Sequence, residues 1–371
     1  MKTYHIAALP GDGVGPEIIE AATKVLKMAE KINGGFELDF QSYSVGCTRY
    51  LIDKQVISDD VYRACGDADA IFMGSMGMNK PGEMILNEKG TEVNGADGMF
   101  KLRFGFQLYA GVRPIKTYHG VPGALCKHDN IDFVILREST EGLFASVGGG
   151  VCLNDELAVD TQIITRRGSE RVHKYAFETA AARNGRPKDG KRLVTCAHKG
   201  NNLVSFSFFK KIFEETARGY ADKIQSEDTM IDALTLLMTQ FPENYDVIVA
   251  ENSHGDIISD LAAAYIGGLG MAPSGDIGDD TAMFQPAHGT APSIAGKNIV
   301  NPTATILSGR MMLEWLGNKH ADPALAQAAA MIENAVENTF RAGLKTQDVG
   351  GKSSTGEFAD EVIRQLKKIK V

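Results

Sequence analysis

The chain has 371 residues, 43 % hydrophobic and 23 % charged, a composition that argues against extensive disorder. Its net charge of −8 and its lack of a dense Lys/Arg stripe argue against a nucleic-acid partner. Five cysteines, none at CxxC spacing, suggest neither a zinc knuckle nor a redox pair and fit reduced thiols in the cytoplasm.

Cys126 and Cys196 sit in or beside apolar runs and are expected in the core. There is no apolar run near the ~20 residues of a membrane span, and the chain reads from its start into a strand rather than a charged-then-apolar leader. The length exceeds what one hydrophobic core usually supports, so two lobes are expected.

In chain order, Thr3–Leu9 is a short apolar strand, followed by the turn Pro10-Gly11-Asp12-Gly13-Val14-Gly15. Pro16 then opens a helix, where its missing N–H costs nothing. Further strands are predicted at Phe36–Ser42, Ala70–Met73, Ile131–Leu136, Arg192–Ala197 and Asp246–Ala250. Helical patterns are predicted at Val172–Arg183, Val204–Arg218, Met230–Gln240 and Ile257–Tyr265. Such alternation indicates an α/β protein with a substantial parallel sheet.

Ala145–Thr165 reads instead as a two-stranded excursion. A hairpin cannot bury its apolar face alone, so it is expected to pack on something else, such as a second subunit. Gly267–Gly278 and Gln285–Pro302 read as glycine- and proline-rich loops, and amphipathic helices near Ala324–Ala342 and Phe358–Lys368 close the chain. No internal repeat is visible.

The first glycine turn has G-x-G-x-G spacing, not the G-x-G-x-x-G of the dinucleotide fingerprint, and no acidic residue obviously ends a second strand at the right distance. On spacing alone it is a tight turn that needs glycine dihedrals. Asp256 and Asp260, four residues apart, share a helix face. Their mutual repulsion calls for a cation, Mg²⁺ or Mn²⁺ by the hardness of oxygen ligands, unless they form a solvated helix start.

Arg103, Arg113 and Arg137 each stand in an apolar context and need an anion. A substrate carboxylate would serve bidentately; the alternative is an internal salt bridge with Glu138, Glu141 or another acid. Lys199 follows a strand at its carboxyl end, where α/β sites collect, although most lysines are surface lysines. His288 lies in a Gly/Pro/Thr-rich loop of the kind that wraps ligands; a well-bonded loop histidine is the equal alternative.

Together these segments resemble the β-decarboxylating dehydrogenase family, which includes isocitrate, 3-isopropylmalate, homoisocitrate, tartrate and D-malate dehydrogenases. The matching stretches run the length of the chain: LPGDGVGPE, the pair Leu102-Arg103 and Arg113-Pro114, LRESTEG at Arg137, HKGN at Lys199, ENSHGDIISDL at Asp256, and QPAHGTAPSIAGKNIVNPTATILSGRMMLEWLG.

The resemblance implies a two-lobe α/β fold of the isopropylmalate dehydrogenase type, not a Rossmann fold, with a central sheet shared by both lobes. The cofactor lobe would take residues 1–108 and 267–371, and the smaller lobe 109–266, with a dimer-forming arm near 145–165. It implies a homodimer with shared active sites and no nucleic-acid or membrane partner.

By the same resemblance, Arg103, Arg113 and Arg137 hold the substrate carboxylate. Asp256 and Asp260, with Asp232 from a second subunit, hold Mg²⁺ or Mn²⁺. Lys199, also from the second subunit, helps remove the hydroxyl proton. Val14, Gly74, Asn252, His288, Gly289, Thr290, Ala291, Ser293, Asn301 and Asp348 are implied around a nicotinamide dinucleotide.

Three departures bear on function. Phe144 stands where the family usually has a tyrosine that helps protonate the enolate, which puts decarboxylation in question. Ser293 stands where NAD-linked members have an aspartate, and Ser293-Ile294 lacks the Lys-Tyr of NADP-linked members, so NAD is expected and NADP is the alternative. Asp97, Gly98, Met99 and Phe100 occupy the segment that reads the substrate side chain; Met99 is bulky and Asp97 would repel a third carboxylate. The expectation is oxidation, with decarboxylation in the family's manner, of malate, tartrate or an alkylmalate. Isocitrate or homoisocitrate oxidation and a non-catalytic regulatory subunit are the alternatives.

Overall fold

The structure, a computed structural model, describes residues 1–77, 85, 93, 95–125, 128 and 130–369. Cys126 lies outside the described residues, whereas Cys196 is fully buried. The chain divides into two units: Met1–Phe106, Tyr118–Gly123 and Gly267–Val371 form one, and Gln107–Thr117 with Ala124–Ile266 form the other.

The first unit opens with β1 (Lys2–Gly11), α1 (Gly15–Asn33), β2 (Phe36–Ser42), α2 (Cys47–Asp53), α3 (Asp59–Asp67), β3 (Ala70–Ser75) and α4 (Asp97–Gly105). The second comprises β4 (Ala110–Lys116), β5 (Asp132–Glu138), β6 (Val151–Leu153), β7 (Leu157–Val159), α5 (Arg166–Ala182), β8 (Leu193–His198), α6 (Val204–Ala217), β9 (Gln225–Met230), α7 (Ile231–Gln240), β10 (Val247–Ala250) and α8 (Asn252–Tyr265). The chain then returns to the first unit with β11 (Pro273–Ile277), β12 (Ala282–Pro286), α9 (Thr303–His320), α10 (Pro323–Arg341) and α11 (Thr355–Leu366).

In the first unit the strand order is β2-β1-β3-β12-β11. β1, β2, β3 and β12 run parallel, and β11 pairs antiparallel to β12. In the second the order is β4-β5-β10-β8-β9, parallel except for β4 against β5. The sheet is therefore mixed rather than purely parallel. Strand β11 escaped sequence reading because Pro273 and Gly275 made it look like loop, yet all its residues are buried.

Helix α9 also escaped, because it is buried on nearly every side and so lacks the polar stripe that reveals a surface helix. Its Gly309 lets Leu26 of α1 approach: a Cβ there would meet Leu26 Cδ1 at 2.7 Å. α11 is the opposite case, an amphipathic helix opened by a reciprocal Ser354–Glu357 capping box.

The excursion is a two-stranded β6-β7 ribbon whose residues are all exposed, Val151, Leu153, Leu157 and Val159 among them. Among the described residues no helix is long and apolar enough to cross a membrane.

Candidate active site

In the second unit the site is built from neighbouring strand ends. Ala250 of β10 is in register with Arg137 of β5 on one side and Ala197 of β8 on the other. Arg137, the start of α8 and Lys199 therefore leave the sheet side by side at its carboxyl edge. On the other side of β8, His198 pairs with Met230 of β9. Lys199 and Asp232 each follow closely, and their side chains form an ion pair with Nζ 2.7 Å from Oδ1.

Arg113 lies opposite Ile135 in the β4-β5 pair, so it shares a sheet face with Arg137 two residues further on. Both arginines are buried. The Arg137 guanidinium donates from Nε to Asn252 Oδ1 at 2.8 Å, again from an Nη at 2.5 Å, and from its other Nη to Asp256. Gly255 makes this possible: a Cβ there would meet Arg137 Cβ at 2.8 Å. Phe144 covers the guanidinium, its ring centre 5.0 Å from Cζ.

α8 carries both aspartates and is capped by Glu251, which accepts from the His254 N–H at 2.7 Å. Burial, and then the charge of Asp256, push the Asp260 carboxyl above the usual carboxylate range, against the pull of Arg113 and Arg137. A hard divalent cation would relieve that tension, so the donor set fits one. Among the described residues no group of three metal-ligating side chains gathers within the chain. Two carboxylates on α8 would need donors from elsewhere.

His198 accepts from the Gly200 N–H at Nδ1, 2.9 Å away, so its Nε2 carries the proton toward Asp228, also at 2.9 Å. That pair anchors the turn on which Lys199 sits.

In the first unit the glycine turn again follows parallel strand ends, with Gly11 in register with Ser75. The Val14 N–H donates to the Thr290 carbonyl at 2.9 Å. A Cβ on Gly13, whose φ is +59°, would fall 2.2 Å from that oxygen, and one on Gly74 would fall 2.4 Å from the Pro10 carbonyl. Asp12 fastens the turn to α2 by accepting from the Cys47 and Thr48 N–H groups, and to the segment after β3 by accepting from the Gly77 N–H.

Val14, Ile18 and Val300 form an apolar floor with Ala291, Ile294 and Ala295 against it. His288 holds the Gly289 carbonyl from Nδ1 at 2.9 Å, leaves a buried Nε2 without a partner, and is kept neutral by burial. Asn301 donates to Asp348 at 3.0 Å. Gly289 and Ser293 are exposed. An apolar floor, close backbone approaches and an unsatisfied histidine nitrogen fit an adenosine group.

Asn252 belongs to the second unit, and its amide is taken by Arg137 and the Glu141 carbonyl. In the first unit, α4 carries Asp97, exposed in its first turn, with Met99 and Arg103 further along. Arg103 pairs with Asp276 at 3.1 Å. Sequence reading passed over Asp276, Gln285, Asp12 and Glu251; a lone acid within a glycine-rich stretch carries no periodic signal that it will be buried.

The model of the family described as isocitrate/isopropylmalate dehydrogenase matches residues 5–362. The chain belongs to that family. It is 37 % identical to a 3-isopropylmalate/3-methylmalate dehydrogenase of Methanocaldococcus jannaschii, over 98 % of this chain and 99 % of that protein. It is 34 % identical to a probable tartrate dehydrogenase/decarboxylase of Bacillus subtilis, over 100 % and 99 %. The crystal structure of isocitrate dehydrogenase from Methylococcus capsulatus superposes with a TM-score of 0.83 at 33 % identity, covering 98 % of this chain and 99 % of that one.

Members of the isocitrate/isopropylmalate dehydrogenase family are NAD(P)-dependent β-decarboxylating oxidoreductases acting on CH–OH donors and typically use a divalent metal. Membership explains why a turn with the wrong spacing for a Rossmann site nevertheless lies beside the loop at His288–Ala291. The relatives differ in their substrates, so family membership leaves the hydroxy acid to be argued from side chains.

Proposed function

We propose that this protein oxidises a malate-type 2-hydroxy diacid with NAD, as a cytoplasmic homodimer with shared active sites. The observation that carries the reading is the grouping of Arg113, Arg137, Asp256 and Asp260 over one end of β5 and α8, with acids and guanidinium groups facing each other. Arg113 and Arg137, with Arg103, would bind the substrate carboxylate. Asp256 and Asp260, with Asp232 of the partner subunit, would hold Mg²⁺ or Mn²⁺.

When bound, the ion supplies Lewis acidity toward the hydroxyl and carboxylate oxygens, and the dinucleotide accepts hydride. Lys199 of the partner subunit would help remove the hydroxyl proton. Asn252 and Phe144 hold the Arg137 fork in place. Phe144 has no proton to give to an enolate, which favours slow loss of CO₂ relative to oxidation. Val14, Gly74, the loop His288–Ala291 with Ser293, and the Asn301–Asp348 pair would hold the adenosine end.

The test is reduction of NAD and of NADP, followed at 340 nm with Mn²⁺, across D-malate, tartrate, 3-methylmalate, 3-isopropylmalate, isocitrate and homoisocitrate. Turnover of a diacid that EDTA abolishes and Mn²⁺ restores is expected. Absence of turnover with every member, with binding of a distinct catalytic homologue, would replace this reading with that of a regulatory subunit.

A further inference from the structure

His198 closes β8 with its side chain buried, and both of its ring nitrogens are engaged. Nδ1 accepts from the Gly200 N–H at 2.9 Å, and Nε2 lies 2.9 Å from Asp228 Oδ2. The register places the acid: Asp228 stands opposite Cys196, two residues before His198, so the two side chains share a sheet face. Lys210 of α6, itself paired with Glu214, lies 3.3 Å from the same Asp228 oxygen and helps to fix the carboxylate.

The two bonds do different things. An N–H aimed at Nδ1 needs a lone pair there, so the ring is the neutral tautomer with its proton on Nε2. The Nδ1 bond spans Lys199: the ring belongs to the residue before the lysine and the amide to the residue after it. A side chain that accepts from the backbone two residues on makes a turn of the Asx kind. Gly200 is also pressed against α6, since a Cβ there would fall 2.9 Å from Ser207 Cα and 3.1 Å from Nδ1. The backbone on both sides of Lys199 is thereby tied down. Lysine is a point charge on a flexible four-carbon stem. Asp232 holds the end of that stem at 2.7 Å, and the turn sets where its root stands. The Nε2 bond, by contrast, ties β8 to β9.

Resting on the reading that Lys199 helps to remove the hydroxyl proton, we propose that His198 is the positioning residue of that lysine and acts through its Nδ1 bond to Gly200. Asp228 keeps the proton on Nε2 and so keeps Nδ1 free to accept.

Two substitutions separate the bonds. The Oδ1 of an asparagine stands as many bonds from the backbone as Nδ1, so His198→Asn keeps an acceptor for Gly200 and gives up Asp228. The Nε2 of a glutamine stands as far out as the imidazole Nε2, so His198→Gln keeps a donor for Asp228 and gives up the turn. His198→Gln should lower kcat by about 10²-fold, with KM for the hydroxy acid and for the dinucleotide little changed, and His198→Asn should recover all but about threefold of it. Equal losses in the two variants, or a greater loss with asparagine, would show that the ring serves the β8-β9 junction and overturn the proposal.

Two further measurements need no turnover. Nitrogen NMR of the unmutated protein at neutral pH should show His198, assigned by its loss in the variants, with its proton on Nε2; a proton on Nδ1 overturns the proposal. Hydrogen exchange at the Gly200 amide should be slow in the unmutated protein and in His198→Asn, and faster by about tenfold or more in His198→Gln. If no hydroxy acid is turned over, that exchange pattern counts against the proposed reaction and not against the hold of His198 on the turn. Equal exchange in the two variants overturns the proposal.

Discussion

Lys199 and Asp232 of one chain form an ion pair across the carboxyl ends of β8 and β9, 2.7 Å from nitrogen to oxygen. The lysine holds the Asp232 carboxyl below the usual carboxylate range. The two residues proposed to serve a second subunit's site therefore leave this one as a unit, and each sets the position of the other.

Because Asp232 is exposed and Lys199 half-exposed, breaking the pair should barely affect folding. Lys199→Ala should nevertheless lower kcat by about 10²–10⁴-fold, the usual worth of a positioned general base. Steady-state rates beside thermal melts check this; a variant that melts normally and turns over normally would remove Lys199 from the chemistry.

Phe144 lies over the Arg137 guanidinium with no hydroxyl to offer. Phe144→Tyr keeps the ring and adds a proton donor. The ratio of CO₂ released to NADH formed, read from headspace gas and absorbance in one reaction, should rise toward one. If the unmutated protein already releases one CO₂ per NADH, another group supplies the proton.

Gly13 has φ of +59° and no room for a Cβ beside the Thr290 carbonyl. Gly13→Ala should push the glycine turn and the 288–291 loop apart, raising KM for the dinucleotide about tenfold or more while KM for the hydroxy acid changes little. A reversed pattern would place the dinucleotide elsewhere.

His173 is buried between Phe209 and Phe213, with ring centroids 4.3 and 5.4 Å away and neither nitrogen hydrogen-bonded. Burial lowers its pKa from 6.5 to about 3. The folded value lies below the unfolded one, so the unfolded state takes the proton first. Stability is complete above about pH 6.5 and falls by up to ~1.4 kcal/mol per unit as the pH drops toward 3.

His173→Leu should remove that slope and leave the pH 7.5 activity intact. Urea denaturation midpoints of the two proteins between pH 7.5 and 5 measure it; parallel curves would show that the imidazole is solvated or partnered.

Much of the fold was legible in the sequence. α1, α10 and α11 announce themselves by an apolar stripe at helical period, and β2 was read to the residue. The helix-borne pair Asp256/Asp260 was legible for the same reason, since four-residue spacing fixes a shared face before any packing occurs.

What depends on contacts between distant residues was not. The partner of Arg103 is 173 positions away, and Arg137, weighed against Glu138, Glu141 or another acid, reaches Asp256 and, beyond those alternatives, the amide of Asn252, both more than a hundred positions on. Local sequence determines dihedrals and the side on which an apolar face lies, because those depend on near neighbours. Which buried charge meets which is decided by strand order and register, and only the tertiary structure supplies those: Asp276 reaches Arg103 because β11 folds back antiparallel on β12, a pairing that no periodicity in either strand encodes.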